Sequence, residues 1–178
     1  MDSFATHQQA LCAAVTFTKG AILELGCGEY STPLLHELAR NRQLVSLETD
    51  ITWLQKFTHF TSPWHTLRLA NYDTDPVFSQ EWSVVLVDHT PPARRGPDVS
   101  RLRAKTQLFV LHDTEGIGYF YHTIQPHFKY RLDFVFISDG KLYPSTAIVS
   151  DSSFLGLEPC ETKFHIHKIR DIDIIEYY

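Results

Sequence analysis

Apolar residues follow two alternating rhythms along this chain. Ile22, Leu23 and Leu25, then Leu44, Val45 and Leu47, then Val84 to Val87, then residues 107–111 form short runs. Such runs have the near-continuous apolar character of strands buried on both faces. Between them the spacing lengthens to three and four. Ala10, Leu11, Ala14 and Val15 mark a helix over 5–17, and Leu34, Leu35 and Leu38 mark a second. Trp53, Leu54, Phe57 and Phe60, then Val99 and Leu102 within 96–105, then Ile117, Phe120, Tyr121 and Ile124 each predict another. A further strand is expected over 65–70. Strands and helices alternating in this way predict a doubly wound, mostly parallel α/β sheet. Near the end the rhythm changes: Leu132, Phe134 and Phe136 alternate, and Ala147-Ile148-Val149 comes after Asp139-Gly140, a tight-turn dipeptide. The last two strands of the sheet are therefore expected to pair antiparallel. No linker or repeat interrupts 1–178, which reads as one domain with its core at 20–150, an N-terminal helix in 1–19 and an extension at 151–178.

The composition sets limits around this picture. A chain of 178 residues can bury a real core. Its formal charge of −5 argues against a general nucleic-acid or anionic-membrane surface, so neither partner is expected. No apolar run is long enough to span a bilayer, and no charged segment precedes one in the manner of a signal peptide. Cys12, Cys27 and Cys160 are odd in number and scattered, which fits free thiols in a reducing compartment, with the cytoplasm as the default location. The oligomeric state is not encoded in any of these features, and a homodimer is compatible with them.

Candidate chemistry begins where the first strand ends. Gly26-Cys27-Gly28 lets the backbone turn sharply and admit a ligand. Ser31 or Thr32 is placed to cap the next helix, with Pro33 in its first turn. Strand, glycine turn and capped helix make the first half of a nucleotide-binding βαβ unit. Where a dinucleotide fingerprint has its third glycine this chain has Ser31, which disfavours a pyrophosphate loop and a nicotinamide oxidoreductase. Glu24, two residues before the first glycine, suits a cationic or amine-bearing ligand. Glu48 ends the second strand, where a carboxylate can accept ribose hydroxyls, and Asp50 is placed to cap the helix after it.

The run Glu24-Leu25-Gly26-Cys27-Gly28 resembles motif I of the class I S-adenosylmethionine-dependent methyltransferases, a Rossmann-like family. The resemblance spans about residues 20–150. It implies a seven-stranded sheet with a terminal antiparallel hairpin, and S-adenosylmethionine as cofactor. It places Glu24, Gly26, Cys27, Gly28, Tyr30 and Ser31 around the methionine part, and Glu48 with Thr49 at the ribose. It places Asn71, Tyr72 and Asp73 at the adenine, with Tyr72 as a stacking face, and Asp88 at the border of cofactor and acceptor.

Val87-Asp88-His89 and His112-Asp113-Thr114 resemble in part the metal-dependent catechol and caffeoyl-CoA O-methyltransferases. In that group an aspartate ends the fourth strand and an Asp-Asn pair ends the fifth, around a divalent ion. The resemblance implies Asp88, Asp113 and Thr114 as ligands of Mg²⁺, a hard ion that prefers oxygen. Two positions depart from the pattern: Thr114 replaces the asparagine, and Pro91 stands where catechol-type members carry a general-base lysine. His89 or His112 is then the base, giving Asp88, His89 and His112 as the catalytic set. Arg94 and Arg95, in the stiff loop 91–96, either grip an acidic substituent of the acceptor or pair with Asp98 or Glu115. His165-Ile166-His167 reads as a surface strand. The expected activity is methyl transfer to an oxygen of a small polar or anionic acceptor. The alternative is a non-catalytic cofactor-binding module or a partner subunit of a larger assembly.

Overall fold

The computed structural model describes residues 5–138 and 141–157, and the strand backbones at 164–169 and 172–177. Five strands, β1 (Ile22–Leu25), β2 (Leu44–Glu48), β3 (His65–Leu69), β4 (Trp82–Val87) and β5 (Thr106–His112), pair in parallel in the order β3-β2-β1-β4-β5. Next comes β8 (Thr146–Ser150), antiparallel both to β5 and to β6 (Tyr130–Ser138), with Leu132 opposite Ile148. These seven strands are the expected sheet with its antiparallel pair. The Asp139-Gly140 turn lies outside the described residues. The sheet also goes further than expected: β7 (Lys141–Leu142) pairs with β6, while β10 (Ile172–Tyr177) adds to β6 in parallel and β9 (Phe164–Ile169) to β10. His165-Ile166-His167 is thus in a strand, as read.

Helices cover both faces, and the side-chain alternation of the strands feeds two separate cores. Ile22, Leu44, Val84, Leu86 and Val110 pack with Leu11 and Ala14 of α1 (Gln8–Phe17) and Leu35 of α2 (Thr32–Leu38). Leu23, Leu25, Val85, Val87 and Phe109 pack with Val99 and Leu102 of α4 (Arg95–Leu102). A smaller cluster joins Cys27 to Leu54 of α3 (Ile51–Gln55) and to Phe57. Strand order reverses between β1 and β4, because the chain leaves β1 in one direction to build β2 and β3 and returns on the other side as β4. Such a switch point opens a crevice at the carboxyl ends of the strands.

Several local expectations are corrected. The stripe at Ile117, Phe120, Tyr121 and Ile124 is not a helix but three short 3₁₀ turns, Ile117–Tyr119, Tyr121–Thr123 and Gln125–His127, with Phe120 left-handed at φ 58°. Gly116, Gly118 and Pro126 weaken the helix, and the spaced residues share no buried face: Ile117 is 79% exposed while Tyr121 is buried and donates its hydroxyl to the Val87 carbonyl at 3.1 Å. Ser31 stands at the start of α2 but makes no capping bond. Asp50 does cap α3, accepting from the Thr52 and Trp53 amides at 2.7 and 3.0 Å. Cys27 is a free buried thiol, whereas Cys12 is disulfide-bonded, so the cysteines no longer argue for a reducing compartment. No helix among the described residues is long and apolar enough to cross a membrane.

Candidate active site

A cavity of about 400 Å³ opens at the carboxyl edge, lined by Cys27, Gly28, Glu29 and Tyr30 of the glycine loop together with Trp53, Asp88 and His7. A second depression, about 470 Å³, lies at the opposite edge around Trp82 and Lys105, away from the switch point. The loop's path is set by its first glycine. Gly26 has φ +90°, and a Cβ there would lie 2.6 Å from the Asp88 carbonyl oxygen. Its absence lets the end of β1 touch the end of β4, so the glycine serves chain contact as well as the turn. Beneath the loop, fully buried Glu24 accepts from the Ser31 hydroxyl at 2.6 Å and contacts the Thr32 hydroxyl at 3.0 Å. Burial raises its pKa to about 7, against the pull of those hydroxyls and with help from the Asp88 charge. Glu48 reaches the loop from β2: Oε2 accepts from the Cys27 amide at 3.2 Å, and Oε1 from the Thr49 and Asp50 amides at 2.6 and 3.0 Å. Trp53 donates its indole N–H to the Cys27 carbonyl at 2.7 Å. One end of α1 also grips the loop, where Gln8 donates to the Tyr30 carbonyl at 3.0 Å.

At the ends of β4 and β5 the charges are interlocked. Asp88 Oδ1 lies 2.8 Å from Arg95 Nη2 and 3.2 Å from His112 Nδ1. The imidazole approach is off the hydrogen-bond axis, which leaves Nδ1 without an aligned partner. Burial opposes the charge of Asp88, but His112 and Arg95 outweigh it and hold the carboxyl below its ordinary range. Burial likewise works to lower the His112 pKa, and Asp88 more than reverses it. The Nε2 of His112 is 3.1 Å from the Thr6 hydroxyl, and its ring meets the buried His7 ring edge-on at 4.7 Å. Burial, then the His112 charge, push His7 down to about 4. His89 is turned the other way: 1% exposed, it bonds Asp98 at 3.1 Å and packs against the Tyr72 ring. Burial lowers its pKa, with Asp98 opposing. Asp98 in turn gathers Arg94 at 3.2 Å and Arg101 at 2.7 Å.

No protein-family model matches the sequence, and no curated protein matches it. Solved structures do match by shape. The O-methyltransferase TomG from Streptomyces achromogenes, solved in complex with S-adenosylmethionine, aligns with a TM-score of 0.65 at 13% identity, over 82% of this chain and 79% of TomG. The chain has the class I methyltransferase fold. A human methyltransferase 10 domain containing protein aligns at 0.58 and 10% identity, over 84% of this chain and 83% of that one. Spermidine synthase from Thermotoga maritima aligns at 0.62 and 16%, over 85% of this chain, which spans only 61% of the synthase. Identities this low carry the fold alone.

On the methyltransferase fold, the residues read from the sequence fall into three groups. Cys27, Gly28, Tyr30 and Asp88 line the cavity. Glu24, Gly26, Ser31, Glu48 and Thr49 shape the loop from behind. Asn71, Tyr72 and Asp73 stand apart: Asn71 accepts from the Asp73 amide at 3.0 Å, Asp73 pairs with Arg94 at 2.8 Å, and buried Tyr72 donates to the Leu47 carbonyl at 3.3 Å. For the arginines, internal pairing prevails. Arg95 is 5% exposed and bridges Asp88 to Asp113, 3.1 Å away, while also donating to the His89 carbonyl at 2.9 Å. Its guanidinium therefore stands between two of the three expected metal ligands. The third, Thr114, pairs with the Ser145 hydroxyl at 2.7 Å. The sequence reading missed Thr6, His7 and Trp53. No local pattern marks His7, because it reaches the site only when α1 packs across β4 and β5.

Proposed function

We propose that this chain binds S-adenosylmethionine in the carboxyl-edge cavity and transfers its methyl group to an oxygen of a small polar acceptor. The observation that carries the reading is the glycine loop tied through the Cys27 amide to the strand-end carboxylate of Glu48, beside a cavity of about 400 Å³. In this reading the loop takes the methionine part and Glu48 the ribose, and Asn71 and Asp73, both exposed, meet the adenine. His112, oriented beside Asp88, faces the acceptor oxygen as a neutral imidazole. It takes the hydroxyl proton as the methyl leaves the sulfonium, so that S-adenosylhomocysteine departs and an Asp88–imidazolium pair is left. In-line methyl transfer needs alignment and exclusion of water more than covalent help, so one such pair suffices. His89, buried against Asp98, is a positioning residue. A bias toward anionic acceptors loses its basis, since Arg94 and Arg95 are neutralised within the protein. The Mg²⁺ reading through Asp88, Asp113 and Thr114 also weakens, because Arg95 supplies the positive charge there. That neutralisation favours a second reading, a binding module without transfer.

Calorimetric titration with S-adenosylmethionine, S-adenosylhomocysteine and NAD is the test. Binding of the first two and not NAD is expected. NAD binding alone would reject the reading, and cofactor binding without turnover across a hydroxyl-acceptor panel would select the module.

A further inference from the structure

His7 is 2% exposed, and among the described residues neither of its ring nitrogens has a hydrogen-bond partner. A buried polar atom left unmet is destabilising, and an apolar side chain of similar size avoids that cost. His112 Nδ1 is also buried without an aligned partner. One donor atom from each of His7, Asp88 and His112 lies within 4.8 Å of the others. We propose that these three residues hold a first-row divalent ion of the zinc type, bound by two imidazole nitrogens and one carboxylate oxygen at the cavity wall.

Chemistry selects the class of ion. Imidazole nitrogen suits Zn²⁺ and its first-row neighbours, whereas Mg²⁺ takes oxygen and keeps its water. Bonds of about 2.0–2.1 Å put ligand atoms roughly 3–3.5 Å apart around one ion. His112 Nδ1 and Asp88 Oδ1 already stand 3.2 Å apart, so only the separations to His7, at most 4.8 Å, need to shorten to reach that geometry. Two ligands are already oriented from behind. Thr6 holds the far nitrogen of His112 at 3.1 Å, which leaves Nδ1 free on the side of Asp88, and Arg95 fixes the Asp88 carboxylate at 2.8 Å. Contacts of this kind set ring tautomer and ligand direction in metal sites. The Arg95 charge also opposes an ion, so affinity falls below that of a closed structural zinc site.

This set shares only Asp88 with the Asp88–Asp113–Thr114 arrangement and leaves Asp113 to Arg95. Three protein ligands leave a coordination position open. Because His7 and Asp88 line the cavity, that position faces it, and the acceptor oxygen is the ligand class that fits. Only this last step rests on the transferase reading.

The test uses the full chain, stripped with a chelator and titrated calorimetrically with Zn²⁺ and with Mg²⁺. One Zn²⁺ per chain is expected, undisturbed by millimolar Mg²⁺. His7→Ala and His112→Ala should each weaken it by roughly tenfold or more. His36→Ala, at the separate His36–His65 contact of 3.1 Å, should bind like the parent. Zinc-edge absorption on the unmutated protein should show two imidazoles bound, a readout independent of whether the variants fold. Absence of stoichiometric Zn²⁺, a spectrum without paired imidazoles, or equal weakening by His36→Ala would overturn the proposal. Titrating the same preparation with S-adenosylhomocysteine separates the two readings, since either ligand can bind while the other fails.

Discussion

Glu48 accepts from three backbone amides, and a carboxylate offers about four acceptor sites. Both amides on Oε1 come from its own chain neighbours, so the site left for a ribose hydroxyl is on Oε2, beside the Cys27 amide. Loss of the carboxylate removes a hydrogen bond to ligand and an anchor of the loop together. Glu48→Ala should weaken S-adenosylhomocysteine binding by about 1.5–3 kcal/mol, the scale for a bond to a charged group. Calorimetry on a variant that still melts cooperatively checks this, and an unchanged affinity removes Glu48 from the site. Glu24 makes a different demand. Its folded pKa is raised from 4.5 to about 7, chiefly by burial. Its contribution is therefore fully present below pH 4.5 and is lost as pH rises through 7, a change on the order of 3 kcal/mol at about 1.36 kcal/mol per pH unit. Glu24→Gln should gain stability relative to the parent between pH 5 and pH 7 and hold that gain above it. Melting curves across this range would show a constant offset instead if Glu24 stays ionised throughout.

Between elements, the decisive contact is the guanidinium that α4 sends to the ends of β4 and β5. Arg95→Met keeps most of the volume but leaves Asp88 and Asp113 with no shared cation. Removing one partner of a buried ion pair costs about 3–5 kcal/mol, and the cost should shrink at acid pH as the stranded Asp88 carboxylate protonates. Equal melting temperatures at pH 7 would mean that solvent screens the pair. This contact also marks where the sequence stops being legible. Gly26, Glu48 and Asp88 are legible because each sits at the end of an apolar run, Glu24 because it interrupts one, and strand ends at a switch point converge. The direction of an arginine side chain has no such signature, so Arg95 was read as facing substrate or a local acid. The stripe at 117–124 misled for a related reason. Gly118 interrupts the stripe and Gly116 and Pro126 flank it, so spacing alone does not make a helix, and Tyr121 is buried by contact with β4 rather than by a helical face. His7 was invisible for a third reason, since its neighbours are brought to it by tertiary packing alone.

At the scale of the whole molecule, the sheet continues past its expected edge. β6 is paired on one side with β8 and on the other with β10, from Asp173 opposite Leu132 to Tyr177 opposite Phe136. Without β10 and β9, β6 would present a row of unpaired amides and carbonyls, the kind of edge that templates pairing with another chain. Leu132 and Phe134 on that strand are core residues, so the strand cannot simply fray away. The cavity lies at β1 and β4, which are five and four strand positions from β10, about 24 and 19 Å at strand spacing. The edge and the site should therefore separate experimentally. A chain ending at residue 163 loses both strands and keeps all three cysteines. It should associate with rising concentration in light scattering, while S-adenosylhomocysteine affinity stays within about twofold of the full chain, as expected for sites beyond 7–10 Å that share no partners. A truncated chain that stays monomeric and melts like the parent would show that β10 is not needed to guard β6. One that loses cofactor binding while still folded would place the extension's influence at the carboxyl edge.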